Sequence, residues 1–109
     1  MRLIQRVRNQ GTSMVTRLVS EHNKTPVLMD LHYINHASEK LRATDRRLKD
    51  RYNGIILELC TSERIPLIDI CSQIIAEHFV QEDPVHPNYA GAKAIGREAA
   101  RVIRALDKQ

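Results

Sequence analysis

Aromatic residues are scarce in this sequence: no tryptophan, one phenylalanine and three tyrosines in 109 residues. So few rings leave little material for a platform that stacks single-stranded nucleic acid, which needs exposed rings under successive bases. No apolar run approaches the ~18–20 residues of a membrane span. The first residues, MRLIQRVRNQ, carry charge without the apolar stretch of a secretory signal. Membrane and secreted readings are therefore disfavoured, and a cytoplasmic protein is the expectation. Cysteine is also sparse. Cys60 and Cys71 make neither a disulfide framework nor a CxxC site, and both read as small buried apolar residues. Internal repeats and low-complexity segments are absent as well.

What is present fits one small α/β domain over residues 1–109. Hydrophobic residues make up 42% of the chain, which suits a folded core. The net charge of +4 permits an anionic partner. The densest basic stretch, Lys40 to Arg51, holds six Lys or Arg, but Glu39, Asp45 and Asp50 are interleaved with them. That pattern reads as a solvated helix face laced with ion pairs. Arg2, Arg6 and Arg8, free of neighbouring acids, are a slightly better candidate for an anion contact. Nucleic-acid binding is not expected.

Hydrophobic spacing divides the chain. Residues 1 to 13 fit two patterns: Leu3, Ile4 and Val7 share a helical face, while the alternation around Arg6, Val7 and Arg8 suits a strand. Gly11-Thr12-Ser13 reads as a break with a capping residue. Met14, Val15, Leu18 and Val19 then predict an amphipathic helix ending near His22-Asn23. Pro26 precedes Val27–Leu31, a buried-strand pattern. Ser38 can cap a long helix whose apolar positions are Leu41, Leu48, Tyr52, Ile55, Ile56 and Leu59. Asn53-Gly54 weakens it locally, and Ser62-Glu63-Arg64 closes it. Ile65–Ile70 is a second buried-strand pattern. Ile74, Ile75, His78 and Phe79 suggest a short helix, and Asn88 starts a last one with an inner face of Ile95, Ala99, Val102, Ile103 and Leu106. Alternation of this kind predicts parallel strands with helices on the sheet faces. Two strands make a narrow sheet, so something else is expected to complete it.

The stretch with the most chemistry is Asp83-Pro84-Val85-His86-Pro87-Asn88-Tyr89-Ala90-Gly91. An aspartate three residues before a histidine, on a proline-stiffened loop, can reach the imidazole from within the loop. It can then fix Nδ1–H and leave Nε2 free as a general base. The plainer alternative is an Asp–His pair that merely shapes the loop. His32 and His36 have a metal-like spacing of four, but they lie in a loop without a suitable acidic third ligand, and loop polarity explains them better. No metal or other cofactor is expected. His22 and His78 read as helix-end or packing residues.

Ile65–Ile70, a short helix, and then Asp83-Pro-Val-His86-Pro87-Asn88 with Gly91 resemble the last block of SGNH hydrolases, the GDSL-type lipases and esterases. That block is usually Asp-Gly-x-His-Pro-Asn, and here Pro84 stands at the glycine. Tyr52-Asn53-Gly54-Ile55-Ile56 and Val27–Leu31 also resemble the preceding helix and strand of that family. The resemblance implies a flavodoxin-like three-layer α/β/α sandwich, here only partial, and serine-dependent ester hydrolysis. It gives His86 the role of general base and Asp83 that of its orienting partner. His32, Tyr33 and Asn35 would line a remnant cleft.

The Gly-Asp-Ser nucleophile block and the Gly-x-Asn-Asp oxyanion block do not occur. None of Ser13, Ser20, Ser38, Ser62 and Ser72 has the setting of a nucleophile, and capping explains most of them. The leading expectation is thus the C-terminal part of an ester hydrolase, inactive alone, or half of a split esterase completed by a partner chain. A small ester would be the substrate if the chain were active. The alternative is a non-catalytic module that oligomerises, as a dimer, through its incomplete sheet.

Overall fold

The computed structural model describes residues 2–80 and 82–107. Helix α1 (Arg2–His22) leads to strand β1 (Leu28–Met29), helix α2 (Glu39–Glu63) and strand β2 (Leu67–Ile68). A 3₁₀ turn (Ala76–His78) and helix α3 (Tyr89–Asp107) complete the order. The two strands are parallel, with Leu28 beside Leu67 and Met29 beside Ile68. The class is broadly α/β, as alternation predicted.

The sheet is covered on both faces. Leu28 and Leu67 point into a cluster with Val15 of α1 and Ile56, Leu59 and Cys60 of α2. Ile68, one residue on and therefore on the opposite face, packs with Val27, Ile70 and with Ile95, Ala99 and Val102 of α3. Among the described residues only Val15, at 1% exposure, is wholly enclosed.

Helix α2 begins where Ser38 accepts the Leu41 N–H at 3.3 Å, the cap expected of that serine. It ends at Arg64, whose φ of 55° lies in the left-handed region and lets its N–H reach the Cys60 carbonyl. Both strands are shorter than the apolar runs that announced them.

Four expectations change. The predicted break at Gly11-Thr12-Ser13 is helical, and the Thr12 and Thr16 hydroxyls donate to carbonyls one turn back at 3.0 and 2.9 Å. Gly11 serves the helix crossing instead, because a Cβ there would stand 3.1 Å from Leu59 Cδ2. The strand alternative is likewise replaced by α1 over residues 2–13, although residue 1 and the side chains of Arg2, Leu3, Ile4 and Val7 lie outside what the structure describes. Leu41, Leu48 and Tyr52, of the apolar spacing in α2, and Ile103, of the inner face expected for α3, are exposed, because no neighbouring element covers them. Finally, Cys60 is buried as expected but Cys71 only half so.

Candidate functional site

The loop that carries Asp83 and His86 is closed at its base. Val80 N–H donates to the His86 carbonyl at 3.2 Å, and Phe79 and Pro87 form an antiparallel bridge. Asn88 then ties the loop to its surroundings through every polar atom. Its N–H donates to the His78 carbonyl at 2.7 Å, and its side-chain amide donates to the Glu77 and Phe79 carbonyls at 2.8 and 3.1 Å. Its Oδ1 accepts the Gly91 N–H at 2.9 Å, which caps α3. Gly91 is required by contact rather than by φ. A Cβ there would lie 2.6 Å from the His78 carbonyl oxygen and 2.9 Å from Pro87 Cβ. The spacing of His86, Pro87, Asn88 and Gly91 thus follows from how the 3₁₀ turn packs on the start of α3.

Within this frame the two sequence candidates meet. Asp83 Oδ1 accepts the Val85 and His86 N–H groups at 2.9 and 3.1 Å, and Oδ2 lies 2.8 Å from His86 Nδ1. The Val85 and His86 N–H groups, followed by the ring bond, hold the Asp83 carboxyl below its ordinary value. An ionised carboxylate has no proton to offer, so the proton in the bond to the ring sits on Nδ1. That leaves Nε2 as a free acceptor. The His86 side chain is 76% exposed. The pair thus presents an exposed imidazole whose Nδ1 is engaged by the carboxylate.

The loop after β1 holds this arrangement from the other side. His32 Nε2 stands 3.0 Å from the Val85 carbonyl, and Asn35 N–H donates to the Pro84 carbonyl at 2.7 Å. The Val85–His86 peptide is therefore gripped at both ends, by His32 at its oxygen and by Asp83 at its nitrogen. Pro84 fits here because the left-handed residue of the loop is Glu82, with φ of 64°. An open depression of about 320 Å³ adjoins, walled by Asn35, Phe79, Val80, Asp83 and Pro84 among others. His32 and Tyr33 are not part of that wall. Tyr33 turns instead to Asp50, its hydroxyl bonding the carboxylate while Arg46 stacks over the ring at 4.2 Å.

Two contributors were not legible as such. Asn53 bonds Leu31 twice, accepting its N–H and donating to its carbonyl, each at 2.9 Å. In the sequence it was read as a weak point beside Gly54. Asp30, taken as one residue of a strand pattern, is buried, and its Oδ1 accepts the Ile70 and Cys71 N–H groups at 2.7 and 3.0 Å. It thereby ties the ends of the two strands together. Burial pushes its carboxyl up. A lone acid inside a polar–apolar run was the available signal.

The serines are occupied elsewhere. Ser20 and Ser62 donate to the Thr16 and Leu59 carbonyls, Ser38 caps α2, and Ser72 bonds Asp69 at 2.7 Å. Ser13 lies in a groove walled by α1 residues, away from the His86 loop. Burial pushes both cysteine thiols up, so neither is an activated nucleophile. His36 Nδ1 accepts the Ser38 N–H at 2.9 Å. Among the described residues no group of three or more His, Cys, Asp or Glu is placed to hold a metal, and no helix is long and apolar enough to cross a membrane. Of the candidate anion-binding arginines, Arg8 is paired with Glu58 at 3.2 Å. Neither family models nor curated proteins give a match to this chain.

Proposed function

We propose that this chain is the base-bearing C-terminal part of an SGNH-type ester hydrolase, with His86 as general base and Asp83 as its orienting partner. The observation that carries the reading is the 2.8 Å contact between Asp83 Oδ2 and His86 Nδ1, on a side chain that is 76% exposed. A pair that only shaped the loop would need the two backbone bonds to Asp83 but not an outward, tautomer-fixed ring. Support also comes from its setting. The loops that follow two parallel strands meet at this pair, and helices cover both sheet faces, as in a flavodoxin-like three-layer sandwich.

In this reading His86 Nε2 takes the proton from an attacking hydroxyl, and Asp83 stabilises the imidazolium that results. The hydroxyl and its oxyanion donors come from a separate segment, because the sequence holds neither a Gly-Asp-Ser nor a Gly-x-Asn-Asp block. A base without its nucleophile retains little catalytic advantage. The chain alone is therefore expected to leave p-nitrophenyl acetate unhydrolysed beyond what any exposed imidazole achieves, and to resist a fluorophosphonate serine probe. Turnover that survives Ser13→Ala and vanishes in His86→Ala, or labelling of any serine, overturns the inactive reading.

A further inference from the structure

The surface of this chain is too large for its mass. At 12.5 kDa a compact monomer exposes about 6,200 Å², whereas this chain exposes 8093 Å². Its radius of gyration is 15.5 Å, against about 13 Å for a compact domain of this length. The molecule is a slab with extents of 44 × 37 × 18 Å. The excess of roughly 1,900 Å² per chain is more than the ~800 Å² that each partner contributes to a standard interface.

The sheet shows where a partner fits. Leu28 and Asp30 donate inward to Pro66 and Ile68 of the β2 segment, at 3.1 and 3.3 Å. Backbone groups alternate along a strand, so those of Val27 and Met29 face outward. Pro26, of the same parity as Leu28, falls on the β2 side of this alternation. Toward the C-terminus, both polar groups of Leu31 are already taken by Asn53. The open edge is therefore the window Val27–Met29, centred on Leu28. The Met29 side chain lies on the α3 face, yet α3 packs along β2, and Met29 remains 42% exposed.

We propose that a second copy of this chain docks here, β1 against β1, antiparallel about a two-fold axis at Leu28. The window is self-complementary in that register. Val27 of one copy and Met29 of the other form a hydrogen-bonded pair, the reverse pair does the same, and the two Leu28 residues form the non-hydrogen-bonded pair between them. Four backbone bonds result, and Val27 covers the exposed Met29 of its neighbour. The product is a four-stranded sheet, β2-β1-β1-β2, with β2 at each edge, in a two-fold assembly of the isologous kind.

Light scattering of the full chain at tens of micromolar tests it. The expected result is twice the chain mass for the native sequence and a monomer for Met29→Pro, which removes an outward N–H without touching the β1–β2 bonds. Met29→Lys is the second variant should the proline alter the far-ultraviolet circular dichroism, and it too is expected to be monomeric with native helicity. A monomeric native chain, or an oligomer that persists in the correctly folded variants, overturns the proposal.

Discussion

Asp83 holds His86 at two points, accepting its backbone N–H at 3.1 Å and facing its ring Nδ1 at 2.8 Å. The first contact sets where the residue sits, and the second sets which nitrogen carries the proton. One carboxylate thus governs both position and protonation state. Its own depressed pKa arises from the Val85 and His86 N–H groups that create the first contact.

That depression makes the loop sensitive to acid. A carboxyl lowered in the folded state contributes stability above its unfolded value and loses it as pH falls through the folded one. The loop is expected to stay ordered through the ordinary carboxylate range and loosen only below it. Carboxyl carbon shifts of Asp83, followed by NMR titration, check this. A midpoint at or above the usual aspartate value contradicts it.

Gly91→Ala is expected to be costly although the residue lies in a helix, where alanine ordinarily stabilises. Its Cβ would meet the backbone oxygen of His78 at 2.6 Å, and backbone cannot swing aside as a side chain can. A loss of about 1–3 kcal/mol is expected from such overpacking, measured by urea denaturation. Gly96→Ala provides the contrast, since nothing lies within 4 Å of its Cβ position.

His32 positions the Asp83–His86 loop through the Val85 carbonyl. Replacing it with Ala leaves the Val85 carbonyl without its side-chain partner and is expected to cost about 1 kcal/mol. The Asp83 midpoint should also move back toward the ordinary value, because the Val85–His86 peptide is no longer held at its oxygen. His32→Gln, which retains a donor, should recover part of that shift. A general loss of stability with the Asp83 titration unchanged would assign His32 a packing role only.

Asp30 titrates in the opposite sense to Asp83. Burial raises its carboxyl, so its contribution favours the fold at low pH and is lost as pH rises through the raised folded value. Asp30→Asn keeps an acceptor for the Ile70 and Cys71 N–H groups and should flatten this dependence at little cost. Asp30→Ala leaves both donors without their acceptor and should cost about 1–3 kcal/mol. Denaturant midpoints across the acid range distinguish the two variants.

These residues also mark how far the sequence could be read. The helix end at His22, the Ser38 cap and the Asp83–His86 pairing were legible because each depends on neighbours within a few positions; the two strands were legible as local apolar runs, and their parallel pairing, 39 residues apart, only through the alternation of strand and helix. Gly11 and Asn53 were misread for a common reason. Their roles depend on Leu59 and Leu31, which approach only after α2 has folded over the sheet. Leu48 and Ile103 fit an apolar period, but a period identifies a face without showing whether anything covers it. Their exposure reflects a sheet of two strands, too narrow to bury every apolar stripe its helices carry.

The central claim is that Asp83 fixes His86 with the proton on Nδ1 and Nε2 free to act as a base. Long-range proton–nitrogen NMR of the His86 ring above neutral pH measures this directly. The expected spectrum shows a protonated Nδ1 and an unprotonated Nε2. In Asp83→Asn the amide retains an oxygen for the backbone donors but can present N–H to the ring, so the two nitrogens should exchange roles. A native ring protonated on Nε2, or a tautomer indifferent to Asp83→Asn, would contradict the account.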